Sequence, residues 1–156
     1  ASSGASLMTA ASLTATGRKV LLIEDDLSLG ELLVLCLTRD SDVSVSWFVR
    51  ARLSADSQDL VLMDADGREV VFTAKALASD FDLAFVDYRL KMSIMSGIEV
   101  TRKLASAKLK VIASSGLFTL NEELIAAGAS AAIDKDKIIG RALKEPDFIE
   151  KLCSAE

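Results

Sequence analysis

The sequence predicts an α/β fold in which a parallel sheet is covered by helices on both faces. Short apolar segments alternate with longer amphipathic ones along most of the 156-residue chain, a pattern that is typical of parallel sheets. Two of the apolar segments, residues 20–23 and 83–86, run directly into acidic residues. The carboxyl ends of parallel strands share one edge of the sheet, where open α/β folds place their chemistry. We therefore expect these acids to lie close together.

Length and composition predict one domain, residues 18–156, which is long enough to bury a core. Residues 1–17 are rich in Ala, Ser, Thr and Gly and have no hydrophobic period. We expect them to form a disordered tail, and residues 1–7, ahead of Met8, resemble vector-derived sequence. The longest apolar run, residues 32–37, is far too short to span a membrane. No membrane association is therefore expected.

Charge and composition exclude several classes of function. A net charge of −5 and the lack of a basic run argue against nucleic acid as a partner. The chain has no histidine, so any metal would be a hard cation held by oxygen ligands. Cys36 and Cys153 stand apart in apolar surroundings, which favours reduced thiols and a cytoplasmic location.

The first strand is predicted over residues 18–24 and the first helix over residues 27–39, with Asp26 as the N-cap of the helix. This helix is apolar nearly all round, because Val34 and Leu35 occupy the side opposite the core positions. Two interpretations remain open. The helix is either deeply buried or uses its outer face as a subunit contact, which would make the protein a homodimer.

An extra β-hairpin is predicted between the second and third strands of the sheet. The second strand covers residues 43–51, which alternate partly and are rich in β-branched side chains. Residues 60–63 and 69–72 are apolar runs on either side of an Asp-Gly turn at residues 64–67. Such a pattern predicts a hairpin. Only a short helix, residues 74–78, is expected to follow.

Strands and helices alternate through the rest of the chain. Strands are predicted over residues 83–87, 110–114 and 131–134. Helices are predicted over residues 97–107, 121–127 and 138–152, the last of them interrupted at Pro146. Polar side chains suited to phosphate and metal chemistry stand at the ends of four strands: Glu24 with Asp25, Asp87, Ser115 and Lys135.

With these residues in place, the chain resembles the receiver domains of two-component response regulators, the CheY-like superfamily, over residues 18–152. The motifs that carry the resemblance are VLLIEDD at 20–26, FDLAFVD at 81–87, VIASSG at 111–116 and GASAAIDK at 128–135. The resemblance implies a five-stranded parallel sheet in the flavodoxin-like order 2-1-3-4-5, with helices on both faces. The predicted hairpin is an addition to that plan.

The resemblance implies that Asp87 accepts a phosphoryl group from the phosphohistidine of a sensor kinase or phosphotransfer protein. Such a domain assists its own phosphorylation and dephosphorylation rather than working as an enzyme, and it signals by contact with a downstream protein. Carboxylates grouped in this way suit Mg²⁺, while Lys135 and Ser115 would contact phosphate oxygens. The expected magnesium ligands are Glu24, Asp25, Asp87 and the main-chain carbonyl of Arg89.

The sequence departs from the family pattern in the loop after Asp87. Lys91 stands where the family usually has proline, and Gly97 comes later than the usual glycine. The longer loop is either a tolerated insertion or a flexible apolar contact patch above the site. Its apolar residues are Met92, Ile94 and Met95.

The switch region also differs from the family pattern. Asp136 replaces the proline that usually follows the lysine, so the loop before the last helix should differ. Ala132 stands where a Tyr or Phe switch is common. Phe118 is one candidate substitute for that aromatic.

Two alternatives to a phosphorylated receiver remain. The chain could be a pseudo-receiver, a binding module that never takes a phosphoryl group. Residues 61–67 also resemble the first motif of haloacid-dehalogenase-type phosphatases, with Asp64 as nucleophile and Asp66 as acid. That second reading leaves Glu24 and Asp25 without a role.

Overall fold

The structure, a computed structural model, describes residues 17–116 and 118–155, without the side chains of residues 118 and 119. The predicted tail over residues 1–16 and the switch role suggested for the Phe118 side chain lie outside this part. In chain order the elements are β1 (Arg18–Ile23), α1 (Leu27–Leu37), β2 (Val43–Phe48), β3 (Arg50–Leu53), β4 (Leu60–Met63), β5 (Glu69–Phe72), α2 (Ala74–Asp80), β6 (Leu83–Val86), α3 (Gly97–Ser106), β7 (Val111–Ala113), α4 (Phe118–Ala126), β8 (Ala131–Ala132), α5 (Lys135–Lys144) and α6 (Phe148–Ser154).

The main sheet has five parallel strands in the order β2-β1-β6-β7-β8. Counted along this sheet alone, the order is 2-1-3-4-5, as predicted. Side chains alternate between two cores: Leu21 and Ile23 pack on one face, Val20 and Leu22 on the other. Helices α2, α3 and α4 cover the first face, and α1, α5 and α6 cover the second. The prediction of an α/β fold with helices on both faces is confirmed.

The second sheet is antiparallel, with three strands in the order β3-β4-β5. The predicted single strand over residues 43–51 is wrong, because it divides at Val49 into β2 and β3, which belong to different sheets. The Val49 N–H already donates to the Met63 carbonyl of β4, 2.7 Å away. Three successive apolar residues, Trp47, Phe48 and Val49, interrupt the period-two alternation, but no turn residue marks the division, so the segment was predicted as one strand. The predicted two-stranded hairpin is therefore part of a larger sheet.

Helix α1 begins where expected, since the Asp26 side chain accepts from the Leu29 N–H at 3.0 Å. Leu33 and Leu37 are buried, but the Leu35 side chain is 67% exposed. The interpretation of α1 as deeply buried all round is therefore wrong. Val34 is half-buried and packs against the core, and the subunit-contact interpretation stays a prediction.

Two smaller predictions concern the end of the chain and its thiols. The break at Pro146 is confirmed, since α5 ends at Lys144 and α6 begins at Phe148. Cys36 is buried and Cys153 half-buried, both as free thiols. Within residues 17–116 and 118–155, every helix is too short or too polar to cross a membrane.

Trp47 links β2 to the start of the acidic loop. Its indole N–H donates to the main-chain carbonyl of Glu24 at 2.8 Å. The ring lies directly against Gly30 of α1, where an added Cβ would come within 2.1 Å of Trp47 Cζ2. A glycine at this position lets α1 approach β2 with the indole between them.

Gly30→Ala should therefore destabilise the protein by about 1–3 kcal/mol, the usual cost of overpacking a filled site. Urea unfolding would measure this change in the free energy of unfolding. In a Trp47→Leu background the same methyl group should cost little, since the ring it strikes is gone. Equal costs in both backgrounds would contradict the packing account.

Candidate functional site

A cavity of about 450 Å³ lies at the C-terminal edge of the main sheet. Every side chain that the sequence predicted for the site lines it, although those residues come from four separate parts of the chain. The lining residues are Glu24, Asp25, Asp26, Asp87, Arg89, Lys91, Ser115, Gly116, Leu120 and Lys135.

Three carboxylates converge in this cavity. Glu24 follows β1 and is fully buried, while Asp87 follows β6 and is 6% exposed. The Asp87 N–H donates to the Ile23 carbonyl at 3.1 Å, which fixes the start of the loop against β1. Carboxylate oxygens of Glu24, Asp25 and Asp87 all lie within 4.8 Å of one another. An all-oxygen donor set of this kind fits a hard divalent cation such as Mg²⁺.

Lys135, the first residue of α5, brings a positive charge to the acids. Its ammonium lies 2.7 Å from Glu24 Oε1 and 3.3 Å from Asp87 Oδ2. The arrangement places a compact cation between the buried acid and the predicted phosphoryl acceptor. A phosphate oxygen that arrived at Asp87 would find that charge already in position.

Burial is the main influence on the pKa values of the two buried acids, Glu24 and Asp87. It raises the pKa of both Glu24 and Asp87 above the ordinary range, although Lys135 opposes the change. The main-chain N–H of Arg89 also donates to the Asp87 carboxylate and opposes it. For Lys135, burial lowers the pKa, but the hydrogen bond to Glu24 and the negative charges outweigh it, so the net change is upward. The site therefore holds acids that bind protons more readily than exposed carboxyls do.

This raised pKa predicts how stability depends on pH and on Mg²⁺. Above the ordinary carboxyl pKa the folded state binds more protons than the unfolded state, so without metal the free energy of unfolding should decrease as pH rises through that window. A divalent cation competes with those protons. Added Mg²⁺ should therefore raise the melting temperature more at about pH 8 than at about pH 5.5. Calorimetry with Ca²⁺-free MgCl₂ would measure this, and an equal shift at both pH values would contradict it.

Ser115 is fixed by a residue that sequence analysis missed. Asn121 of α4 is 5% exposed, and its side chain accepts from the Ser115 N–H and donates to the Ser115 carbonyl, both at 3.0 Å. A buried amide clamped to one main-chain unit holds Ser115 at the cavity wall. The sequence signal for this contact is an asparagine six residues after the serine at the end of β7. It was not sufficient, because Asn121 reaches the Ser115 main chain only when the helix begins at residue 118.

Tyr88, next to Asp87, was also missed. Its hydroxyl forms a hydrogen bond with Glu123 of α4, which raises the pKa of the tyrosine. Ala132, at the usual aromatic switch position, is half-buried and packs against the core on the α3–α4 face. In the described part of the chain, the aromatic residue beside Asp87 is therefore Tyr88, in the loop after β6, and not a residue of the last strand, β8.

Asp64 lies outside the cavity, in the turn between β4 and β5. Its carboxylate accepts from the main-chain N–H groups of Asp66, at 2.9 Å, and Arg68, at 3.0 Å. The Gly67 N–H donates to the Asp64 carbonyl, with Gly67 at a φ of 86°. These bonds give Asp64 a turn-forming role.

Comparison with known proteins identifies the fold. No family model and no curated protein matches the sequence. Among solved structures, the response regulator domain of Thermotoga maritima CheB matches with a TM-score of 0.60 at 17% identity, over 90% of this chain and 98% of that one. The receiver domain of the putative response regulator NarL from Mycobacterium tuberculosis matches with a TM-score of 0.59 at 18% identity, over 90% and 98%.

NtrX from Brucella abortus, in complex with ATP, matches with a TM-score of 0.55 at 19% identity over 87% of this chain. The chain spans only 29% of the length of NtrX. At these identities the matches establish the fold, which is the CheY-like fold of response-regulator receiver domains.

Proposed function

We propose that this chain is a two-component receiver that accepts a phosphoryl group on Asp87 from the phosphohistidine of a sensor kinase or phosphotransfer protein. It would need Mg²⁺ and would signal by contact with a downstream protein. One observation carries the proposal: the Asp87 carboxylate lies within 4.8 Å of the carboxylate oxygens of Glu24 and Asp25 and 3.3 Å from the Lys135 ammonium. A receiver fold alone would not supply that arrangement, because folds host many functions.

In the proposed reaction, a carboxylate oxygen of Asp87 attacks phosphorus as the P–N bond of the phosphohistidine breaks. The electron pair of that bond stays on the imidazole nitrogen, which takes a proton, and the phosphoryl group becomes an acyl phosphate. Lys135 offsets the charge on one phosphoryl oxygen, and Ser115 lies on the wall where a second would sit. Mg²⁺, held by Glu24, Asp25, Asp87 and the Arg89 carbonyl, would supply further charge stabilisation.

The test is incubation of the protein with MgCl₂ and acetyl phosphate, followed by intact mass spectrometry. The wild type should gain one phosphoryl group, and Asp87→Asn should gain none, because an amide oxygen is too weak a nucleophile. Asp64→Asn, which alters the hairpin turn only, should gain the group as the wild type does.

Two other results would decide against the proposal. No gain in the wild type would favour a pseudo-receiver binding module. A gain that survives Asp87→Asn but disappears in Asp64→Asn would favour the phosphatase-type alternative.

A further inference from the structure

The loop between β6 and α3 is hydrogen-bonded on two sides. On one side the Lys91 N–H donates to Asp25 Oδ2 at 2.6 Å. On the other, the Ser93 hydroxyl accepts from the Ala51 N–H at 2.9 Å and donates to the Ala51 carbonyl at 3.1 Å. The Met95 N–H donates to the same carbonyl at 3.0 Å. The loop therefore joins the acid cluster to strand β3 of the second sheet.

This loop holds two large apolar side chains in water. Met92 is 82% exposed and Ile94 is 80% exposed, the highest values among the large apolar side chains that the structure describes. Leu90 and Met95, on either side, are buried. Met92 also has a φ of 63°, a left-handed conformation that costs about 1 kcal/mol or more for a residue with a Cβ. A fixed loop that presents apolar side chains at this cost indicates a contact surface.

A groove of about 180 Å³ lies between these side chains and the second sheet. We call it the loop groove. Its apolar part comes from both elements, and its rim is charged. The lining residues are Arg50, Ala51, Arg52, Val61, Met63, Glu69, Met92 and Ile94.

The charges around the loop groove are mainly positive, although the whole chain carries −5. Glu69 is neutralised by Arg52, which forms two hydrogen bonds to it at 3.0 Å. Arg50 is exposed, and no carboxylate in the described part of the chain lies within 4.0 Å of it; its Nη1 lies 4.0 Å from Met63 Sδ. A groove with this lining is complementary to an acidic ligand that also has an apolar side chain.

We propose that the loop groove binds a segment of a partner protein in which a large apolar side chain stands beside carboxylates. The apolar side chain fills the space between Met92, Ile94 and the second sheet, and a carboxylate pairs with Arg50. Because Asp25 is both the acceptor of the Lys91 N–H and a proposed Mg²⁺ ligand, metal at the acid cluster alters the loop that forms one wall of the groove. The effect of metal on the groove rests on the proposed function, whereas binding of the partner segment does not.

The proposal can be tested with peptides selected from a displayed random library against the whole chain. Enriched peptides should share an aromatic or long aliphatic residue flanked by Asp or Glu, and their affinity should fall as salt rises. By fluorescence anisotropy, the double variant Met92→Ser/Ile94→Ser should bind about tenfold or more weakly, and Arg50→Glu should bind several-fold more weakly. Leu35→Ser, which removes a comparably exposed apolar side chain on α1, is the matched control and should bind as the wild type does.

Several outcomes would overturn the proposal. Peptides that bind the Met92→Ser/Ile94→Ser variant as tightly as the wild type would place binding elsewhere. A selection that enriches no such peptide would contradict the proposal, and binding of anionic lipid vesicles in its place would identify a lipid surface. A dimer in light scattering that the double variant dissolves would identify a second copy of this chain as the occupant.

The effect of Mg²⁺ on binding at the loop groove is tested separately. Addition of MgCl₂ should change the peptide affinity in the wild type and leave it unchanged in Asp25→Asn. If peptides bind but MgCl₂ has no effect in either protein, the docking surface stands and its link to the acid cluster is wrong. If Asp87 takes no phosphoryl group but peptides bind, the proposed function fails and the docking surface stands.

Discussion

Lys135→Met should slow the uptake of a phosphoryl group from acetyl phosphate by about a hundredfold, the usual loss when one preorganised charge at a developing oxyanion is removed. The Lys135 ammonium lies 3.3 Å from Asp87 Oδ2, and its side chain is only 17% exposed, so water cannot replace it without rearrangement. Methionine keeps much of the length of the side chain and removes the charge. Intact mass as a function of time would give the rate.

The same substitution should have a second, independent effect on stability. It leaves Glu24, which is fully buried, without the cation that lies 2.7 Å from its Oε1. Removing one partner of a buried ion pair costs about 3 kcal/mol or more when the other stays charged. Burial already raises the pKa of Glu24, and loss of Lys135 removes the influence that opposes it. In Mg²⁺-free buffer, the loss of stability should therefore be greater at high pH than at low pH, because at low pH Glu24 is protonated.

Lys137→Met provides the matched control, since this lysine lies two residues along α5 and is exposed. It should change neither the rate nor the pH dependence of unfolding. If Lys135→Met and Lys137→Met behave alike, the ion pairs of Lys135 do not stabilise the acid cluster, and Lys135 has no role at the phosphoryl group.

The predictable part of this protein is the part that repeats a physical pattern. Short apolar segments such as residues 20–23 and 83–86, each ended by acidic residues, favour buried strands, and parallel strands deliver their next residues to one edge. That reasoning brought Glu24, Asp25 and Asp87 together, and the structure places them in one cavity with Lys135. The sequence also supplied the cap of α1, since Asp26 stands directly before the first helical residue.

The missed features depend on contacts between segments that are distant in sequence. The division at Val49 follows from its hydrogen bond to Met63, and the clamp on Ser115 follows from the position of Asn121 on α4. Helical spacing placed Leu35 on the side of α1 opposite the core positions, but its apolar character left open whether that side is buried or exposed. In each case the local pattern allowed two answers, and packing at long range selected one.

Gly97→Ala should destabilise the protein by about 3 kcal/mol or more and should also slow phosphoryl uptake. An added Cβ at Gly97 would lie 2.2 Å from the Asp87 main-chain oxygen and 2.7 Å from both the Cα and the carbonyl oxygen of Tyr88. These are backbone atoms, which cannot rotate away as a side chain can, so relief of the clash must move the peptide that carries the acceptor. The Gly97 N–H also donates to the Tyr88 carbonyl at 3.2 Å, a bond that such a movement would lengthen.

Gly140→Ala is the matched control, because nothing lies within 4 Å of the position of its Cβ on α5. It should stabilise the protein by about 0.5–1 kcal/mol, since alanine favours a helix over glycine. Urea unfolding and the acetyl phosphate assay on both variants separate the two effects. If Gly97→Ala matches the wild type in both its unfolding free energy and its rate of phosphorylation, the start of α3 can move without displacing the backbone of Asp87. The opposite result would show that the longer loop, for all its extra residues, still returns the chain to a close contact with the backbone of the acceptor.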